Sequence, residues 1–466
     1  MRPRAALSSA RIQHEWRAHA KGRPRAKAGA PLGAPCALTL LLCCACVGVG
    51  PWPSPLDSPP PRDTNPSEPW EATAPRSVDP AWVTTKAAAN AAGLIPVRLA
   101  ACEGLDSITI GGTRWGEVHI ERAAVVLRAS TGDAAPRLHF RPAPAEVLTL
   151  AGRPWPGTLT VDLRPQGGLS ITNLVPMEEY VSGVLAKELI LWSAEPAELE
   201  AQAIAARTYA LSMLARRRPA STDPGAAFLW SDTRDQAYDG IFVPEDSPAA
   251  RRVARRLEEA VARTAGLVLT SGSSLLDARF HAACGGRTAA LHEQFPTSPG
   301  PPIEAVHCPP CDRRALDEAR PTAAPVPTAR PVTWSTTIPA ADLAQLAKDL
   351  EIGQRLLSLR PLETGATHRW LTVELTGTRG RTTIPLEEFR RRLGQRAVAS
   401  AHITSTWPHC GNPLKSGLFL RGRGRGHGVG LCQTGAHDRA VQGWSHSRIL
   451  SHYYPRARIT PLPRPK

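Results

Sequence analysis

A chain of 466 residues, 42% of them hydrophobic, has the length for two or three domains with substantial cores. The formal charge of +15 is lopsided, because the eight basic residues before position 30, less Glu15, carry +7 of it. The +8 that remains is spread along the chain, which suits a polyanionic surface or no partner in particular. Ten cysteines in a chain of this size exclude a disulfide-knit miniprotein.

Residues 1–50 read as a basic leader and a signal peptide. The apolar run from Cys36 to Gly50, CALTLLLCCACVGVG, is short for a membrane span and right for a signal h-region followed by small residues. The leader is longer than usual, which leaves room for a translation start further downstream. Cys43, Cys44 and Cys46 offer thiols for a lipid anchor, yet none follows the Leu-small-small pattern of bacterial lipidation signals. Membrane attachment is expected only through this segment. Residues 51–95 read as a linker, because Pro51 to Pro75 is rich in Pro, Ser and acidic residues without periodicity.

From 96 to 175 a β-rich part is expected. Its segments are IPVRLAAC, SITIGG, AVVLRAS, RLHFRP, EVLTLAG, GTLTVDLRP and LSITNLVP, separated by Gly and Pro. Residues 176–466 then open on the stretch Tyr180 to Leu214. If Met177 to Leu189 is helical, Tyr180, Val184 and Glu188 share a face, with Val181 and Leu185 beside them. A carboxylate on that stripe would be desolvated and its pKa raised, the state a general acid needs near neutral pH. Taken alone, the stretch also fits a glutamate at a helix boundary facing water.

Pro196 suits the first turn of a second helix, with Leu199, Ala203, Ala206, Ala210 and Leu214 as its apolar stripe. SDTRDQAYDG follows, then a helix near Ala249 to Thr264 and two strands, LVLTSG and SLLDARFHAACGG. A Pro/Ala-rich connector near 321–331 leads to a further α/β stretch ending at Gly394. In the tail, five alternate glycines from 422 to 430 present His427 on open backbone. A helix is expected from Gln433 to Val441, ended by Gly443, and a second one capped by Ser445 and stopped by Pro455. RGRGRG at 421–426 is too short and solitary to make nucleic acid an expected partner.

Outside the signal the cysteines are Cys102, Cys284, Cys308, Cys311, Cys410 and Cys432. His281 and Cys284, followed 24 residues after Cys284 by the C-P-P-C of Cys308 and Cys311, offer four ligands of the kind structural zinc prefers, with His307 as a substitute. A disulfide or free buried thiols are the alternatives. A closed four-ligand site would be structural and leave no position for metal-activated water.

Four segments then stand in order: LVPMEEYVSGVLAKE with LEAQAIAARTYAL, DQAYDG, ARFHAACGGRT, and GRGHGVGLCQTGAHDRAVQGWSHSRILSHYYP. Together, from about Gly152 to Ile459, they make the chain resemble the stage II sporulation protein D (SpoIID) / LytB amidase-enhancer family of bacterial cell-wall proteins. The resemblance implies an α+β fold, a mixed α/β domain that acts on peptidoglycan outside the cytoplasm, in the periplasm or cell envelope. Sporulation members are lytic transglycosylases that leave 1,6-anhydro-N-acetylmuramic acid ends, a reaction one carboxylate can serve because the sugar's own C6 hydroxyl attacks. On this likeness Glu188 is the expected catalytic acid/base, and His427, Gln433 and Thr434 match the segment expected to bind the glycan. Some members bind zinc near the FHAACGG-like segment. The family usually places Met or Phe and then Pro after its Glu, where this chain has Leu189 and Ile190. Two other readings therefore stand beside the enzyme: a non-catalytic binder that enhances an N-acetylmuramoyl-L-alanine amidase, and a structural envelope protein.

Overall fold

The structure, a computed structural model, describes residues 93–112, 116–143, 146–217, 227–318, 331–408 and 417–462. The leader, the signal, the linker up to residue 92, nearly all of the Pro/Ala-rich connector and Cys410 lie outside the described residues. The α+β class is as expected.

Alternating apolar residues build two sheets at the front of the chain. One orders six strands as Ala134–Ala135, Val126–Ala129, Gly116–Ala123, Ser107–Gly112, Leu148–Leu150 and Arg153–Trp155. The other orders five as Leu229–Trp230, Leu94–Arg98, Leu169–Pro176, Thr158–Leu163 and Arg137–Phe140. Each of the seven expected segments contributes a strand. A further strand runs through GEVHIERA, where Val118 and Ile120 turn inward between exposed Glu117, His119 and Glu121. Leu229–Trp230 lies parallel to Leu94–Arg98, so the chain rejoins its first strand after two helices. One hydrophobic core runs from Ile95 to Tyr454.

Helix α1, Met177–Glu188, buries Tyr180, Val181, Val184 and Leu185 and stops where Leu189 turns extended. Helix α2, Pro196–Arg216, starts with a capping box in which Glu195 and Glu198 bond reciprocally to each other's backbone N–H groups. Its small buried residues, Ala201, Ala203, Ala205, Ala206 and Ala210, let neighbouring helices come close. These are α1 and α3, Pro248–Arg263, together with two helices from the end of the chain. Arg207 of α2 is fully buried and grips Glu178 of α1 with two nitrogens, Nε at 3.0 Å and Nη2, while Nη1 donates to the Leu267 carbonyl at 2.9 Å. Arg207→Met strips Glu178 of that partner and orphans the Leu267 carbonyl. A loss of about 3 kcal/mol is expected, read as a lower urea midpoint at unchanged slope.

Beyond α3, the expected strand over SLLDARFHAACGG is broken into Ser274–Leu275 and Phe280–His281. Between them Asp277 is buried against Arg216 at 2.8 Å and Arg279 at 3.1 Å, which turns the chain inward. Helices α4, Leu291–Gln294, and α5, Pro309–Glu318, follow. A second core then runs from Trp334 to Leu420 around two three-stranded sheets and helices α6, Ala340–Asp349, and α7, Leu386–Leu393. Strand Leu418–Arg423 leads out of it into the glycine loop, and the turn between Leu356–Thr364 and Trp370–Gly377 carries Arg369 back to the first core. Helices α8, Gln433–Val441, and α9, His446–Tyr453, close the fold on α2, with Gly443 at φ +80° and Ser445 as N-cap, as the sequence indicates. No helix of the described residues is long and apolar enough to cross a membrane.

Candidate functional site

Glu188 is the last residue of α1, and a distant loop sets its carboxylate. Residues 235–239 bond to α1, to the end of α2 and to the strand Leu169–Pro176. Asp235 binds Arg217 through both oxygens at 2.6 and 2.7 Å, and Gln236 joins the Tyr180 hydroxyl at 2.8 Å to the Ala206 carbonyl at 3.2 Å. The Ala237 N–H donates to Glu188 Oε1 at 2.8 Å, Tyr238 donates to Asn173 at 2.8 Å, and Asp239 pairs with Lys187 at 2.9 Å. Gly183 of α1 makes this docking possible, since a Cβ there would lie 2.6 Å from both the Gly240 carbonyl oxygen and the Tyr238 ring. Glu188 is half-buried, one oxygen held by backbone and the side chain turned toward a cleft.

That cleft lies between the α1–α2 connection and the start of α8. Glu188, Leu189, Ile190, Ser193 and Glu198 form one wall, and Ala282, Arg314, Gln433, Thr434 and His437 the other. Gln433 and Thr434, singled out from the sequence, are thus brought opposite Glu188. Thr434 is spent on the Ala282 carbonyl, which accepts from both its N–H at 3.0 Å and its hydroxyl at 2.9 Å. The Gln433 side chain lines the cleft and is 6% exposed, and its Nε2 is buried with no partner among the described residues. His427 lies elsewhere. Its ring packs between His281 and Phe295, its Nδ1 accepts from the Val429 N–H at 3.0 Å, and it does not line the cleft. Burial holds it well below the ordinary histidine pKa, so it is neutral.

Glu198, Arg314, His437 and Trp192 carry features the sequence reading missed. His437 Nδ1 sits 2.8 Å from Glu198 Oε2, and that hydrogen bond raises the His437 pKa above its ordinary value against the opposing effect of burial. Glu198 is therefore occupied by the α2 cap and by His437. A histidine whose folded pKa is raised contributes stability in full below its unfolded value of about 6.5, and loses it as pH climbs through the folded value. His437→Gln is expected to lower the melting temperature most below about pH 6.5, by the equivalent of about 1 kcal/mol, with the deficit fading in alkali. A deficit that does not change with pH would show that the ion pair is not its source. Trp192, in the turn between Ile190 and Ser193, is 56% exposed and neither stacks on nor hydrogen-bonds to another described residue.

Directly behind Gln433 lie four sulfurs. Sγ of Cys284, Cys308, Cys311 and Cys432 all fall within 4.8 Å of one another and are buried, and no described cysteine is in a disulfide. Cys432 stands with Cys284, Cys308 and Cys311 in this group, and His281 stands outside it. His281 Nδ1 donates to the Val429 carbonyl at 3.1 Å, and His307 pairs with Asp312 at 2.8 Å on the surface. Zn–S bonds of about 2.3 Å set tetrahedral sulfurs about 3.8 Å apart, which this cluster can satisfy with small shifts. Cys308 and Cys311 bracket the first turn of α5, and Cys432 caps α8 by accepting from Gly435 N–H at 3.4 Å, so two positive helix ends face the sulfurs. A Cβ at Gly435 would collide with Cys308 Sγ and the Tyr453 hydroxyl. Without an ion, burial pushes the Cys284 and Cys432 thiols well above their ordinary pKa.

Residues 165–271 match the family model of the stage II sporulation protein, SpoIID. That stretch of the chain is similar to the SpoIID family. It is 28% identical over 289 residues to stage II sporulation protein D of Bacillus amyloliquefaciens, which covers 61% of this chain and 74% of that one. It is 26% identical over 296 residues to a protein of Brachyspira hyodysenteriae, 61% of this chain and 66% of that one. Over 321 residues it is 26% identical to the amidase enhancer of Bacillus subtilis strain 168, of which it spans 40%. The matched SpoIID span holds Glu188 and the 235–239 loop, whereas Gln433, His437 and the four clustered cysteines lie beyond it.

Proposed function

We propose that the chain is an exported protein of the bacterial envelope that cuts peptidoglycan glycan strands as a lytic transglycosylase. The observation that carries this reading is Glu188, half-buried on the cleft wall, pinned through one oxygen by Ala237 N–H and opposed by the unpartnered amide of Gln433. In the reaction the Glu188 carboxylic acid gives its proton to the glycosidic oxygen as the C1–O bond breaks. The resulting carboxylate then takes the proton of the muramyl C6 hydroxyl as its oxygen bonds C1, which closes the anhydro ring and restores the acid. No second carboxylate is needed, and the other one in the cleft, Glu198, is engaged by His437 and the α2 cap. Gln433 Nε2 suits an acetamido carbonyl, and the open face of Trp192 suits stacking of a sugar ring at the rim. The four cysteines hold a structural zinc, which fixes the start of α8 and supplies no chemistry to the bond cleavage.

One observation favours a second reading. The chain resembles the amidase enhancer over 60% of its length, and Leu189 and Ile190 depart from the family's usual residues after the Glu. In that reading the same cleft holds the glycan and the partner is a cell-wall amidase. Purified glycan strands, with and without stem peptides, incubated with the protein lacking residues 1–50, separate the two. Anhydro ends in the mass spectrum support the transglycosylase. Intact strands together with faster cleavage by an added amidase support the enhancer.

A further inference from the structure

The two buried arginines beside the cysteine cluster have no carboxylate to answer them. Arg369 is 1% exposed; its Nη2 donates to the Cys284 carbonyl at 2.6 Å and the Arg287 carbonyl at 2.9 Å, while Nε and Nη1 have no partner among the described residues. Arg439 is 4% exposed, and its Nη1 points at the Gly435 carbonyl (3.1 Å), the Tyr453 hydroxyl (3.0 Å) and Cys308 Sγ (3.8 Å). Its Nη2 meets His452 at 2.8 Å, and its Nε is unpaired. Neither guanidinium forms an ion pair with a described carboxylate. Glu293, the nearby acid that acts on Arg369, is taken up by the Ala366 N–H and the Thr367 hydroxyl, both at 2.9 Å. A lone buried guanidinium is one of the most unfavourable groups a fold can hold, and here two border the same four sulfurs.

We propose that Arg369 and Arg439 are the counter-charges of a dianionic tetrathiolate metal centre, and that Arg369 locks the second core onto the first when the metal is bound. A divalent ion on four thiolates leaves a charge of −2, which two guanidiniums cancel. The arginines act through charge across the sulfurs and ligate nothing. Arg369 enters from the turn that ends at Trp370, and Gly428 makes room for it, since a Cβ there would stand 2.7 Å from its Nε and Nη2. The centre therefore joins the 282–289 loop, α5, α8 and the second core. The inference rests on the zinc reading of the preceding subsection and is independent of whether the cleft is catalytic.

The test uses the chain from residue 51 onward, loaded with cobalt(II), with thiolate-to-metal absorption and chelator competition as readouts. If the unsubstituted protein shows no tetrathiolate spectrum, the metal reading itself falls. Given that spectrum, Arg369→Met and Arg439→Met are expected to weaken metal binding about 10–100-fold each, and Arg369→Lys to recover most of the loss. The melting temperature carries the decisive sign: Arg369→Met destabilises the loaded protein but leaves the metal-free protein as stable or more so, because there the charge is uncompensated. Unchanged metal affinity in the Met variants, equal losses for Met and Lys at position 369, or equal destabilisation with and without metal would each overturn the proposal.

Discussion

Glu188→Gln is expected to reduce the formation of anhydromuramyl ends by about 10²–10⁴-fold, the range that a single positioned acid/base contributes. The substitution keeps the shape of the side chain, and its amide oxygen can still accept from Ala237 N–H, so the melting temperature and binding to purified sacculi should stay at the unsubstituted level. The pairing of lost cleavage with retained binding isolates the proton transfer from the cleft. Gln433→Leu, on the opposite wall, is expected to do the reverse. It removes an amide donor of the cleft lining that has no partner among the described residues, so KM is expected to rise by about tenfold with kcat little changed, the size of one hydrogen bond left unmade. Sacculus pull-down alongside end-group mass spectrometry reads both. Cleavage by Glu188→Gln at the unsubstituted rate would move the protein to the amidase-enhancing reading.

What the sequence disclosed about this site follows chain distance. The four-residue recurrence of Tyr180, Val184 and Glu188 placed the carboxylate at the end of α1, and the caps of α2, α8 and α9 were visible as Pro196, Gly443 and Ser445. Local rules of spacing and capping decide these. The enclosure of Glu188 was not visible, because the group that holds it, Ala237 N–H, is 49 residues away and belongs to a loop with no secondary structure of its own.

The same limit produced the errors. H-x-x-C made His281 look like a ligand, but its Nδ1 is taken by the Val429 carbonyl 148 residues later. The fourth sulfur of the cluster, Cys432, sits 121 residues past Cys311, and its one local sign was its position as the cap just before an expected helix. On the family likeness His427 was expected to meet the glycan, beside the reading that its glycines let two elements pack closely. At Gly428 the missing Cβ serves instead to admit the Arg369 guanidinium, so the loop is bare because it is tightly packed. Arg369 could not be read as part of the site at all, since it arrives from a second core whose strands gave no hint of which surface they cover.

Removing the proposed zinc is expected to have the other large effect, and to strike binding before chemistry. The cluster ties Cys284, the first turn of α5 and the first residue before α8. Structural zinc in small peptides is worth about 10–16 kcal/mol at pH 7; here the extended core of Ile95 to Tyr454 survives without it, and a loss of about 5 kcal/mol is the reasonable share. At about 2–4 °C per kcal/mol for a domain of this size, a strong chelator should lower the melting temperature by 10 °C or more, and zinc alone should restore it. Acid should act as the chelator does, because protons compete with the ion for the thiolates. Cys432 immediately precedes Gln433 and Thr434, so loss of the anchor frees the wall that meets the sugar, while Glu188 stays fixed on α1 by Ala237. KM for glycan strands should therefore rise well before kcat falls. A chelated protein with an unchanged melting curve would show that the four cysteines are only buried thiols. A fall in kcat at constant KM would instead place the metal's influence on Glu188 itself.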